Sequence, residues 1–132
     1  MRRLTADEAK LFLEPNFGSV ATVRADGSPH VTPVWVDYDG EHVVFNTAEG
    51  RAKVRNLRRD PRVAIEVYGR ENPYSYVAVT GTAEIVEEGA DEHIDKLAKK
   101  YLGVDTYPYR RPGERRLIVR VRPERVDGLG QV

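Results

Sequence analysis

Apolar residues at Leu4, Ala9, Leu11, Phe12 and Leu13 recur at helical spacing, and Thr5 followed three residues later by Glu8 makes a capping-box pattern. The spacing predicts a short helix that stops before Pro15. From there the pattern changes to alternation. The stretch "FGSVATVRADGSPHVTPVWVDYDGEHVVFNT" predicts three strands, Gly18–Arg24, His30–Asp37 and His42–Asn46, joined by turns that each carry Asp-Gly. Alternation in "HVTPVWV" puts His30, Thr32, Val34 and Val36 on one face of the second strand, and Val31, Pro33 and Trp35 on the other. Pro33 has no N–H to give to a ladder, so this strand is expected at an edge, or bulged there, with backbone groups left for a ligand.

Beyond these strands, Arg51 to Arg59 has no β-branched clustering and predicts a helix with Val54 and Leu57 on its inner face. Arg51, Arg55 and Arg58 then share the opposite side, and Lys53, Asn56 and Asp60 a flank. "RVAIEVYG" and "YSYVAVTGTAEIVEE" predict two more strands. "ADEHIDKLAKKYLG" predicts an amphipathic helix through Ile94, Leu97, Ala98 and Tyr101 that ends at Gly103. A loop rich in Tyr, Pro and Arg leads to a last strand in "RLIVRVRPERVDG". Six strands with hairpin turns and few crossover helices predict a mainly β (α+β) fold with α decorations, an antiparallel barrel or strongly curled sheet. Its 132 residues are the size of one domain, 1–132.

Composition narrows the function. No apolar run approaches the ~20 residues that span a bilayer, and charged residues interrupt the N-terminal apolar positions, so a cytoplasmic protein is expected. With no cysteine there is no disulfide frame, thiolate nucleophile or thiolate metal site. Twenty-one basic residues balance 21 acidic ones, which argues against bulk nucleic-acid binding. The imbalance is local. "TAEGRAKVRNLRRDPR" holds six basic side chains and two acids, "EIVEEGADEHID" is acidic with no Lys or Arg, and "RRPGERRLIVRVRPER" is basic again.

The basic helix follows a strand directly through "NTAEG". A helix N-terminus offers unpaired N–H groups and a positive dipole end, so Asn46, Thr47, Arg51 and Lys53 are candidates to converge on one phosphate. Arg58, Arg59 and Arg62 are assigned instead to solvent or to the acidic block. His30 lacks metal-ligand spacing and is expected to be a hydrogen-bonded strand histidine. No metal site is expected, the carboxylates from Glu84 to Asp95 form no catalytic pair, and no nucleophile signature occurs. Trp35, Tyr38, Tyr68, Tyr74, Tyr76, Tyr107 and Tyr109 include several in polar loops, where they would either stack on a planar heterocycle or cover a subunit interface.

The segments "G-x-P-x-x-x-P-V-W" (Gly27 to Trp35) and "R-A-K-x-x-N-L-x-x-D-P-R" (Arg51 to Arg62), with "YVAVTGTAEI", resemble the split β-barrel flavin and deazaflavin enzymes related to pyridoxamine 5'-phosphate oxidase. The similarity runs from about Leu4 to Gly128 and is greatest to the branch that uses coenzyme F420. It implies a homodimeric, FMN-binding-like split barrel with two sites at the subunit interface. Phosphate contacts would fall on Asn46, Thr47, Arg51 and Lys53. The ring system would lie along His30 to Trp35, against Thr32, Pro33 and Val34, and an aromatic at Tyr74 would come from the second subunit. Tyr76 and Tyr109 are weaker candidates.

The implied reaction is hydride transfer between reduced deazaflavin and an electron-poor small-molecule acceptor such as a quinone, an enone or a tetrapyrrole-like compound. No side chain is required as acid or base, because the cofactor carries the chemistry. FMN is the alternative cofactor, and a non-enzymatic cofactor- or tetrapyrrole-binding module the alternative class. True pyridoxamine phosphate oxidases carry a further C-terminal segment for the substrate phosphate. The chain as given runs to "DGLGQV" without it, so that activity is not expected.

Overall fold

The computed structural model describes residues 1–128 and contains nine elements in the order expected. The end of "DGLGQV", residues 129–132, lies outside the described residues. Helix α1 (Ala6–Leu13) begins at the expected capping box: the Glu8 N–H donates to Thr5 Oγ1 (3.2 Å), and the Thr5 N–H donates to Glu8 Oε1 (2.8 Å). Strands β1 (Phe17–Val23), β2 (Pro29–Tyr38) and β3 (Val43–Ala48) form a meander, followed by α2 (Ala52–Arg59). Strands β4 (Arg62–Tyr68) and β5 (Tyr76–Val86), helix α3 (Ala90–Leu102) and strand β6 (Arg116–Gly128) complete the chain. Gly103 ends α3 in the left-handed region, at φ 73°.

The six strands close into an antiparallel barrel in the order β1-β2-β3-β6-β5-β4. Alternation decides what fills it. Val34 and Val36 of β2 point inward with Val20, Val43, Phe45, Ile65, Val67, Val79 and Val119, and Phe12 of α1 and Leu57 of α2 plug the core. On the outer face of β2, Val31 is 61% exposed.

Two junctions shape the barrel. Strands β5 and β6 shift register between Thr80 and Gly81, and a Cβ at Gly81 would stand 1.9 Å from the Arg122 carbonyl oxygen. Only a glycine permits that approach. The second junction is a gap. The β1–β2 ladder runs from Phe17↔Trp35 to Val23↔Pro29, but β2 meets β3 only at Val36↔Phe45, Asp37↔Val44 and Tyr38↔Val43. Pro33 therefore lies on a strand whose β3-side edge is unpaired, as its missing N–H implied.

Helix α3 fastens the paired end of β2. The Val36 N–H donates to Tyr101 Oη (2.9 Å), the Tyr101 hydroxyl donates to the Asn16 carbonyl (2.6 Å), and Lys100 Nζ donates to the Phe12 and Val36 carbonyls (2.6 and 2.5 Å). Burial pushes the Tyr101 phenol up to about 12 and the Lys100 ammonium down to about 8. No described helix is long and apolar enough to cross a membrane.

The Gly81 contact gives a direct test. Gly81→Ala is expected to destabilise the barrel by about 3 kcal/mol, the upper end of overpacking costs, because the clash is with backbone. A urea unfolding midpoint equal to that of the unaltered protein would contradict it.

Candidate functional site

The β2–β3 gap opens onto a cavity of about 280 Å³. Its walls come from β2 (Pro33, Val34, Trp35), from β3 and the start of α2 (Asn46, Thr47, Arg51, Lys53), from α3 (Ile94, Leu97) and from the segment that returns to β6 (Tyr107, Tyr109, Arg116), with Phe17 at the rim. In an extended strand alternate backbone groups face the same edge. The Val36 N–H and C=O are held on the β1 side by Tyr101 and Lys100, so the N–H and C=O groups of Val31 and Trp35 and the C=O of Pro33 face the gap.

The floor is cationic. Lys53 is only 8% exposed, and among the described residues its ammonium has neither a carboxylate nor a hydrogen-bond acceptor. Burial pushes its pKa below the ordinary 10.5, and Arg51 and Arg116 add to the effect. The Thr47 side chain is 2% exposed, and its Oγ1 is buried without a partner. Arg51 is the N-cap residue of α2 and not its first turn. No side chain caps this helix, so its positive end is free to meet an anion.

Arg116 was not among the residues singled out from the sequence. It is 6% exposed, its Nε donates to Asn46 Oδ1 (2.8 Å), its Nη1 donates to Glu114 Oε1 (3.0 Å), and its guanidinium lies 5.1 Å from the Tyr107 ring centroid. Asn46, expected as a direct phosphate ligand, lines the cavity with its amide already committed. Its Nδ2 donates to the Ala90 carbonyl (2.9 Å), and His93 Nδ1 lies 3.1 Å away. Burial pushes His93 down to about 4, which keeps its imidazole neutral near pH 7. Asn46 thus orients Arg116.

The aromatic wall is a connected group. Trp35 stacks on Tyr101 (5.2 Å, 6°) and meets Tyr107 edge-on (5.9 Å, 88°), and Tyr107 meets Tyr109 edge-on (5.7 Å, 81°). Such a wall matches the flat faces of a conjugated ring system.

Of the residues singled out from the sequence, Pro33, Val34, Trp35, Asn46, Thr47, Arg51 and Lys53 come together here, with Tyr107 and Tyr109. His30 and Thr32 lie on the same inner face of β2 but outside the cavity wall, and their Nδ1 and Oγ1 atoms are buried without partners. The expected hydrogen bond of His30 is therefore corrected. Thr22, opposite it in the ladder, takes its hydrogen bond from Asn56 Nδ2 instead (3.0 Å). Tyr74 is 75% exposed on the β4–β5 connection and does not line this chain's cavity. Tyr38, Tyr68 and Tyr76 also lie elsewhere.

The pairing of the charge blocks is corrected too. Arg58 bonds Glu49 (2.6 Å), Arg62 bonds Asp60 (2.7 Å) and Arg59 donates to the Val23 carbonyl (2.8 Å). The acidic block instead faces the C-terminal basic run, through Glu87–Arg115, Asp95–Arg110 and Glu84–Arg120. The β5–β6 ladder sets Glu84 opposite Arg120, while Asp95 on α3 meets Arg110 on the segment that leads into β6.

Comparison with known proteins agrees with this geometry. The family model for pyridoxamine 5'-phosphate oxidase matches residues 4–130. A pyridoxine/pyridoxamine 5'-phosphate oxidase of Kineococcus radiotolerans is 38% identical over 80 residues, 61% of this chain and 35% of that protein. The match thus spans about a third of that relative's length. Among solved structures, an F420 reductase superposes with a TM-score of 0.81 at 34% identity, covering 94% of this chain and 98% of the other. A conserved hypothetical protein from Mycobacterium tuberculosis superposes at 0.72 with 28% identity, covering 93% and 82%. The chain belongs to the pyridoxamine 5'-phosphate oxidase-like split-barrel family, in the branch that holds the F420 reductase.

Proposed function

We propose that this protein is an oxidoreductase that binds coenzyme F420 in the β2–β3 gap. The observation that carries the proposal is Lys53, a residue only 8% exposed whose ammonium has no acceptor among the described residues, beside the orphaned Thr47 hydroxyl and the cations Arg51 and Arg116. A buried charge with like-charged neighbours is costly unless an anion meets it. The cofactor phosphate is that anion, with Lys53, Arg51 and Thr47 as its ligands. The rings lie along Pro33, Val34 and Trp35, where the unpaired backbone edge of β2 orients their polar rim. When bound, reduced deazaflavin supplies a hydride to an electron-poor conjugated acceptor. The chain contributes orientation, positive charge and exclusion of water. The 34% identity to an F420 reductase over nearly its whole length favours the deazaflavin, and FMN in the same slot is the second reading.

The working form on this proposal is a homodimer. The outer faces of β1, β2, β4 and β5 set Ser19, Ala21, Val31, Ala64 and Ala78 around a shallow depression that a second copy would cover. Exposed Tyr74 is then free to reach the partner's site, and His30 and Thr32 are proposed to contact the cofactor beyond the cavity wall.

Spectral titration of the purified protein is expected to give saturable binding of oxidised F420. Tight FMN binding with none of F420 would replace the proposal with its alternative. Lys53→Ala and Arg51→Ala are each expected to weaken cofactor binding by about 1.5 to 3 kcal/mol, the usual worth of a hydrogen bond to a charged group. Arg59→Ala, whose guanidinium is occupied elsewhere, should leave the affinity unchanged.

Affinity should also depend on pH. The pKa of Lys53 is depressed in the free protein, and a bound phosphate raises it again. Binding therefore takes up a proton once the free ammonium begins to titrate, and affinity falls as pH rises through that depressed value. Lys53→Arg, which stays protonated, should flatten the profile. Equal pH profiles for the two proteins would remove Lys53 as the phosphate ligand.

A further inference from the structure

The aromatic wall of the cavity does not belong to the barrel. Tyr107 and Tyr109 sit on the irregular segment between Gly103 and Arg116, which has no helix or strand of its own. A segment of that kind keeps two rings against a cavity only if something in the body holds it. At its ends the ties are ordinary: Lys99 with Asp105 (3.0 Å), both largely exposed, and the Glu49 N–H to the Arg115 carbonyl (2.9 Å).

In the middle there is one anchor on α3. A single carboxylate oxygen, Asp95 Oδ1, accepts the Tyr107 backbone N–H (2.9 Å) and Arg110 Nη2 (2.8 Å). Arg110 also approaches Asp91 (3.6 Å). Asp95 thus grips the strap on both sides of Tyr109. It lies on α3 between Ile94, one position before it, and Leu97, two positions after it, both of which line the cavity. The carboxyl is held below its usual range, first by the Tyr107 N–H and then by Arg110.

We propose that Asp95 is a positioning residue that clamps the Tyr107–Tyr109 strap against Trp35 and thereby sets the width of the slot that selects planar ring systems. It makes no contact with the ligand itself. The residues proposed to meet the phosphate, Thr47 on β3, the N-cap Arg51 and Lys53 on α2, take no part in the bonds of the clamp. The part of the inference that concerns cofactor affinity rests on the proposed deazaflavin or flavin site. The part that concerns the strap does not.

Trp35 provides the readout, because it is the only tryptophan in the chain and Tyr107 packs edge-on against it. In Asp95→Ala the free protein is expected to show Trp35 emission moved to the red, faster quenching by acrylamide, and faster chymotrypsin cleavage after Tyr109. Arg110→Ala should move the same readouts in the same direction, and Asp95→Asn, which keeps an acceptor for the Tyr107 N–H, should move them less. Glu92→Ala, at an exposed position of the same helix, should move none. Far-ultraviolet circular dichroism should be alike in all four, since Asp95 is a surface position of α3.

Titrated with coenzyme F420 and with FMN, Asp95→Ala should bind whichever ring system the unaltered protein binds about tenfold more weakly, the cost of losing a hydrogen bond to a charged group. Unchanged Trp35 emission and quenching in both Asp95→Ala and Arg110→Ala would overturn the clamp. So would a normal affinity in the presence of a released strap. If neither cofactor binds the unaltered protein, the functional proposal fails, and the emission and proteolysis measurements still decide whether Asp95 holds the strap.

Discussion

The β2–β3 ladder ends after three residue pairs, and the character of this barrel follows from that early end. A sheet edge inside a closed barrel is costly, because each unpaired N–H and C=O must find water, a side chain or a ligand. Here the two ends of β2 are treated differently. At Val36, Tyr101 and Lys100 reach across from α3 and take up the backbone groups that β1 no longer meets. From Trp35 back to Pro29, β1 secures one edge and the other stays open. Pro33 lessens the cost by removing one donor from the open edge.

Beside the opening, the composition of α2 gathers positive charge. Val54 and Leu57 drive the helix into the core, but Lys53 on its flank is buried with them, between Arg51 and Arg116. Hydrophobic burial of the helix thus drags in a cation that has no counter-charge. Repulsion of Lys53 by Arg51 and by Arg116, the latter itself paired with Glu114, acts against the free site together with the uncapped N-terminus of α2, and on the proposed reading one anion relieves both. On the proposed reading, a ligand that binds only the folded chain would stabilise it by mass action, and the cost of the free site and its affinity for that ligand would have the same origin.

Local signals made much of this legible in the sequence. The capping box at Thr5, the Asp-Gly turns, the alternation of β2 around Pro33 and the terminating Gly103 each depend on a few neighbouring residues, and each stands where the pattern put it. That Lys53 and Thr47 line one cavity was legible because a single short strand-to-helix passage carries both. Arg116 was not. It reaches the cavity through the β3–β6 ladder, which sets Ala48 opposite Arg116 across nearly seventy residues of chain, and no local pattern marks that pairing. The acidic block misled for the same reason: its partners were fixed by β5–β6 register and by the strap, not by which basic run was nearer in sequence. His30 shows the converse limit, since a favourable neighbour in the ladder can already be taken by a third residue.

That partition of charge also explains how a chain with no net charge presents a strongly positive cavity. Arg58, Arg62, Arg110, Arg115 and Arg120 are each paired near the surface, where such pairs contribute little to stability and are screened by salt. Pairing them removes the broad basic field that would attract any polyanion. Lys53 and Arg51 are left without carboxylate partners among the described residues, and Lys53 is buried where screening is weak. Long-range attraction is therefore suppressed while short-range attraction is kept. A nucleic acid, which depends on many phosphates spread along a surface, gains little from such an arrangement. The proposed ligand, small and bringing one phosphate through the β2–β3 gap, would gain nearly all of it.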